Sequence, residues 1–244
     1  MLQSLYAASS GMEASQTQFN AISNDLANMD TPGYQATDVG FESLLYTAGG
    51  DSTGTTSRTG AGAQATIVGR DQTQGALQTT GRPLDVAIEG PGYLQVRRSD
   101  GSIGLTRNGS LQVDSAGQVT TQDGQLLSPP LTIPGGLGAK NLSIASDGSV
   151  TAGGRPVGKI QVVDVPAPDQ LLPDGNSTFS PTAASGAPRP AAGAKLQQGA
   201  LEGSNVDINA VMSEMIGAQR TYQMAGQAVQ YQDQMLQIAN GIKK

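Results

Sequence analysis

The sequence predicts a mixed α and β fold: a discontinuous coiled-coil helical domain built from both termini, with an all-β domain inserted between them. Three observations predict it. Near each end, apolar or small residues recur at alternating spacings of three and four, the pattern of a helix with a heptad seam. The middle changes to short runs of alternating polarity punctuated by glycine, the pattern of half-buried strands. Two stretches of simple composition, Thr47 to Ala65 and Pro166 to Ala194, separate these textures and read as linkers or long loops.

The first seam runs through Leu5, Ala8, Met12, Ser15, Phe19, Ile22, Leu26 and Met29. The helix that carries it stops near Met29, because Pro32 pushes Thr31 out of the helical region and Pro32-Gly33 suits the central positions of a type II turn. Residues 1–35 are therefore read as the first part of the helical domain and 36–69 as a connecting segment with a flexible Gly/Ser/Thr stretch. Residues 70–200 form the β-rich domain, with runs such as Leu84 to Ile88, Tyr93 to Val96 and Ile160 to Val162. Its Asp100-Gly101, Asn108-Gly109, Asp123-Gly124 and Asp147-Gly148 pairs are the residue types that type I′ hairpins favour. The near-even spacing of the three Asp-Gly pairs follows from ordinary strand-turn-strand lengths, and no internal repeat is inferred. Gly33, Gly109, Gly148 and Gly203 are expected to be turn or loop glycines at positive φ.

Residues 201–244 complete the helical domain. Ile208, Val211, Met215, Ala218, Tyr222, Ala225, Val229, Gln232, Leu236 and Ala239 keep the three-four alternation throughout. A helix of about 34 residues, about 50 Å long, is expected. Ser204 or Asn205 can cap it, Asp207 falls in its first turn, and Lys243 and Lys244 sit where cations suit the macrodipole.

Composition removes most chemistry. The 244 residues include no Cys and no His, which excludes disulfides, Cys/His zinc sites and imidazole-based nucleophile activation. Asp85 and Glu89 would lie about 13 Å apart along a strand, too far for either glycosidase geometry. Gly90-Pro91-Gly92 is too short for a nucleotide fingerprint. No catalytic, cofactor-binding or metal-binding residue is assigned, and the chain is read as no enzyme, with no cofactor. A net charge of -6 and the lack of any basic cluster disfavour nucleic acid. The lack of a long apolar run argues against membrane insertion. The start carries no cationic segment, so no cleaved signal peptide is expected.

The ends are bland in an informative way. Between residues 1 and 29 the charged side chains are Glu13 and Asp25, and the last helix carries glutamine where an isolated coiled coil places charge. A self-contained hairpin of the two ends fits the periodicity. The low charge on the remaining faces favours further protein contacts, and head-to-tail contacts build rings or filaments. The assembly interface is accordingly assigned to Leu5, Met12, Phe19, Ile22 and Leu26, together with Ile208, Val211, Met215, Ala218, Tyr222, Ala225, Val229 and Leu236.

Four segments carry a family likeness. Ile22-Ser23-Asn24-Asp25-Leu26-Ala27-Asn28 followed by Thr31-Pro32-Gly33-Tyr34 resembles the N-terminal motif of bacterial flagellar rod and hook proteins. Gly199-Ala200-Leu201-Glu202-Gly203-Ser204-Asn205-Val206-Asp207, followed by Met215-Ile216 and Gln219-Arg220-Thr221-Tyr222, resembles their C-terminal motif. Arg82 to Tyr93 and Thr106 to Gly109 resemble their β-domain motifs. The family pattern has a second Asn where this chain has Asp25. Phe41 to Tyr46 is similar to the distal-rod branch, and the β-domain wording is also typical of the proximal-rod branch. Arg107 and Arg220 sit inside such motifs and either fork onto a carboxylate across a subunit contact or lie exposed.

The resemblance implies a structural subunit of the basal-body rod, polymerised helically through its terminal helices into a hollow, torque-transmitting shaft around the export channel, with the β domain outside. Implied partners are copies of itself, neighbouring rod and hook proteins, the flagellar type III export apparatus and bushing rings around the rod. The implied location is the periplasm-spanning rod, reached with an uncleaved N-terminus. The alternative is a secreted β-domain binding module, for wall glycan for example, that only dimerises through its helical ends.

Overall fold

The computed structural model describes residues 2–44, 47–49, 57–60, 62–133 and 142–242. The chain divides into two compact units, one of Met1–Ala27, Thr37–Val68 and Asp207–Lys244, the other of Asn28–Ala36 and Gly69–Val206. The element order is a helix, a long β-rich middle and a second helix, as the sequence predicts.

In the first unit, helix α1 (Leu2–Ala27) packs along helix α2 (Ile208–Ile242) and against the strand Thr37–Ser43. That strand pairs with Ala63–Arg70 in a two-stranded ribbon. Two faces of α1 are therefore covered. Ser15 and Phe19 line a recess with Ala218 and Tyr222 of α2, while Ser10, Ala14 and Thr17 line another with Leu44 and Ala63 beside the ribbon. Small side chains at both places let backbones come close. Both oxygens of the buried Asp25 carboxylate lie within reach of the Thr37 N–H, at 3.0 and 3.2 Å, pinning the ribbon to the end of α1.

Helix α2 spans 35 residues, about 53 Å at 1.5 Å per residue. Its cap differs from expectation. Asp207 accepts the Asn209 N–H through its side chain at 2.8 Å and the Val211 N–H through its carbonyl at 2.9 Å, so Asp207 is the N-cap, and Ser204 and Asn205 lie before it. Lys243 and Lys244 lie outside the described residues.

In the second unit, α1 is followed by the turn that Pro32 demands: Tyr34 N–H donates to Thr31 O at 3.2 Å, with Gly33 at φ 68°. The largest sheet is organised around the strand Tyr93–Arg97, which pairs antiparallel with Ile103–Thr106 on one side and with Leu126–Leu127 and Val162–Asp164 on the other. Its alternation divides the core. Leu94 and Val96 join Val86, Ile88 and Leu111 in one apolar cluster, whereas Tyr93 joins Leu105, Val163 and Phe179 in a second. Tyr93 and Phe179 meet edge to face, with centroids 5.9 Å apart.

Two expectations change. The Pro166 to Ala194 stretch holds the short helix Pro168–Gln170 and the strands Leu172–Pro173, Thr178–Ser180 and Arg189–Pro190, all but the helix paired into the large sheet. Its buried anchors, Leu171, Thr178, Phe179 and Ser185, are spaced too irregularly to show as strand alternation. Within Thr47 to Ala65, Thr47–Gly49 pairs with Ser57–Thr59, and residues 50–56 and 61 lie outside the described set, as do Leu45 and Tyr46.

The hairpin turns also differ from type I′. Among the described residues, Asn176 and Ser177 are the non-glycine residues at positive φ, so Asp100, Asp123 and Asp147 are not in that conformation. Instead Gly101, Gly117, Gly124 and Gly148 each donate to the carbonyl three residues back, at 2.9 to 3.1 Å, and each sits at positive φ. This is the three-residue hairpin loop closed by a left-handed glycine. Asn108-Gly109 makes no such turn. Gly109 is required for close approach, since a Cβ there would lie 1.6 Å from Val86 O. Gly203 is likewise outside the positive-φ set.

Candidate assembly surface

The motif residues of the second unit converge on two side chains. Glu202 is buried, accepting from Arg107 Nε on Oε2 at 2.9 Å and from Gly75 N–H on Oε1 at 3.1 Å, while its carbonyl accepts the Gly33 N–H at 2.8 Å. One glutamate thus ties four separate chain segments together. Asn205 works beside it: its Oδ1 accepts the Ala36 N–H at 2.7 Å and its Nδ2 donates to Asp71 O and Thr73 O. Tyr34 is buried and carries the Arg70 guanidinium 5.5 Å over its ring. Thr31 Oγ1 donates to Asn28 Oδ1 at 3.2 Å. Leu201, Ser204 and Val206 are half-buried in the same run.

Arg107 is paired within the chain, at 3% exposure, rather than exposed or held for a neighbour. Its Nη2 also donates to Gly90 O at 3.0 Å, and its guanidinium lies 5.9 Å from the Tyr93 ring centroid. The Tyr93 hydroxyl donates to Gln72 Oε1 at 2.8 Å. Burial holds the Tyr93 phenol above its usual range, opposed by Arg107 and by the Gln35 and Gln72 hydrogen bonds.

On α1, Ile22 is buried, and Leu5, Met12, Phe19 and Leu26 are half-buried; of the motif residues there, Asp25 is buried whereas Asn24 and Ala27 are exposed. On α2, Val211 and Ala218 are buried, Met215, Ala225, Val229 and Leu236 are half-buried, and Ile208 and Tyr222 are exposed. The interior part of this seam therefore faces protein within one chain. Arg220 is exposed.

A second set of apolar side chains on α2 is not part of that seam. Met224, Tyr231, Met235 and Ile238 are 60 to 64% exposed, and Ala228 is exposed between them. Their spacing, 224, 228, 231, 235 and 238, is again four and three. At 100° per residue, this stripe lies about 130° around the helix from the Val211 to Leu236 seam. Ile208, Met212 and Ile216 form a shorter exposed patch about 110° round in the opposite sense. Asp233 is the single charged residue between 221 and 242. Solvent-facing helices ordinarily carry charge where these side chains stand.

Comparison with known proteins agrees with the motifs. Residues 5–35 match the family model "Flagella basal body rod protein", residues 87–152 the "Flagellar hook protein FlgE/F/G D1 domain", and residues 197–242 "Flagellar basal body rod FlgEFG protein C-terminal". The flagellar basal-body rod protein FlgG of Caulobacter vibrioides is 35% identical over 263 residues, spanning 99% of this chain and 100% of that protein. The chain belongs to the flagellar basal-body rod and hook protein family.

FlgG of Borreliella burgdorferi is 34% identical over the whole of both chains, and FlgF of Escherichia coli is 33% identical over 92% of this chain and 91% of its own. Both branches suggested by the motifs are thus represented among the rod-family relatives. The matched C-terminal segment, 197–242, contains both Glu202 with Asn205 and the outer stripe of α2. Sequence reasoning assigned the seam and missed the stripe, because both use the same three-four spacing. The signal that separates them was available in the second alternating series at Met224, Ala228, Tyr231, Met235 and Ile238. Arg70, Gln72 and Gln35, which complete the polar cluster around Tyr93 and Tyr34, carried no such periodic signal.

Proposed function

We propose that this chain is a structural subunit of the flagellar basal-body rod, polymerising helically through its terminal helices into a hollow, torque-transmitting shaft around the export channel. The reading rests on one observation above others: the likeness to rod proteins runs from end to end, 35% identical across 99% of the chain. The uncharged, apolar outer side of α2 supports it, since exposed apolar patches of this kind mark protein contact surfaces. Among the described residues no helix is long and apolar enough to cross a membrane, so lipid spanning does not explain that side. Under this reading the partners are copies of the chain, adjoining rod and hook proteins, the type III export apparatus that delivers it, and the bushing rings around the rod. Its place is the basal body.

The test is genetic and biochemical. Deleting the gene should abolish motility, and restoring a tagged copy should return motility and place the tag in purified basal bodies. Full motility without the gene, or basal bodies free of the tag in a motile complemented strain, would overturn the proposal.

A further inference from the structure

We infer that residues 195–206 act as a folding gate: the β-rich unit stays open until this segment, the last part of that unit in chain order, is present to close it. The partners that the segment holds all lie earlier in the chain. Lys195–Gln198 pairs with Val86–Glu89, and Ala200–Glu202 pairs with Leu77–Thr79. Each pair is a two-stranded sheet, so among the described residues neither earlier strand has another ladder partner. Val86, Ala87 and Ile88 are fully buried. Burying that strand without Lys195–Gln198 would leave backbone N–H and C=O groups unpaired away from water, which is disfavoured.

Side chains of the segment reach further back. Leu196 sits in the larger apolar cluster. Gln198 accepts the Ile144 N–H on Oε1 at 3.0 Å, and its Nε2 donates to Pro83 O at 2.8 Å and to Leu142 O at 2.9 Å. The charge on Glu202 decides the matter. Its carboxylate is the counter-ion of the Arg107 guanidinium, and both side chains are 3% exposed. A chain that presents Arg107 before Glu202 could close only around a lone buried cation, and an unpaired buried charge is strongly disfavoured.

Synthesis runs from the N-terminus, so Gly33, Gly75 and Arg107 are made long before Glu202, the residue that ties them together. Delivery that begins with the N-terminus has the same order. For a chain passing through an export channel the gate keeps the unit open while it threads. That use rests on the rod reading, whereas the gate itself rests on the contacts.

Nascent chains test it directly. Chains arrested with residues through 194, or through 206, clear of the ribosome are exposed to trypsin, and cleavage after Arg107 is timed, since folding buries that side chain. Cleavage is expected to be at least a hundredfold faster when only residues through 194 are clear. Equal resistance at 194 would mean that the unit closes without the segment, and equally fast cleavage at 206 would mean that something later is needed; either overturns the gate. Native-state hydrogen exchange on the full-length chain gives a second reading. The hydrogen-bonded amides of Lys195–Gln198 and Tyr93–Arg97 should be protected to within tenfold of each other. Exchange in Lys195–Gln198 faster by more than that would overturn the gate, because the segment would then detach from a unit that stays closed. None of these readouts depends on finding the chain in basal bodies, so failure of the gate and failure of the rod reading are told apart.

Discussion

Replacing Arg107 with Met should weaken the β-rich unit severely while barely changing its shape. The side chain is similar in length, so little volume is lost, but the guanidinium is one half of an ion pair in which both partners are 3% exposed. Its removal strands the Glu202 carboxylate, held in place by Gly75 N–H, and leaves Gly90 O without its 3.0 Å donor. Breaking a buried pair by removing one partner costs about 3–5 kcal/mol, mostly the penalty of the charge left behind. For a unit of this size that lowers the melting temperature by roughly 6–20 °C. Thermal and urea unfolding followed by circular dichroism should find the midpoint lowered and the urea slope unchanged. Adding Glu202→Gln to Arg107→Met removes the stranded charge and should recover part of the loss, giving a coupling of about 1 kcal/mol or more. A single Arg107→Met variant that melts within about 2 °C of wild type would refute the reasoning, since it would mean water already screens the pair.

Three further outcomes follow from individual contacts. Gly109→Ala should cost on the order of 4 kcal/mol or more, because its Cβ would collide with the Val86 carbonyl, and an unaltered urea midpoint would disprove that close approach. Ala218→Pro, at a buried position in α2, should cost about 3 kcal/mol or more, reduce helicity and stop assembly while hydrogen exchange in Tyr93–Arg97 stays protected; a motile strain carrying it would count against the role of α2. Because burial raises the Tyr93 pKa, the folded state holds the phenolic proton more tightly than the unfolded chain. That contribution is complete below about pH 10 and is lost as pH rises through the folded value, so urea midpoints should fall in that alkaline window for wild type and fall less for Tyr93→Phe. Parallel curves would contradict it.

The helices were legible because heptad periodicity needs no tertiary information. Pro32 with Gly33, and the Asp207 region, placed their inner ends to within a few residues. The β texture was equally visible in Tyr93 to Val96, where alternation follows from two faces packing on two clusters. The short strands at Leu172–Pro173 and Arg189–Pro190 were not, since two residues cannot display a period and their pairing comes from the sheet they join. Gly109 was misread for a related reason: glycine serves both turns and close contacts, and only the neighbouring Val86 backbone tells which.

Local chemistry, carried by each residue and its near neighbours, was enough to specify the two helices, the strand-rich insert and the family motifs. Partnership across the chain was a separate matter. That Arg107 meets Glu202, that Asn205 joins Ala36 to Thr73, and that one apolar series on α2 is covered while another stands exposed all depend on which distant segments fold together. The hydrogen bond between Ala36 and Asn205 alone joins residues 169 positions apart, and periodicity along the chain holds no record of such contacts.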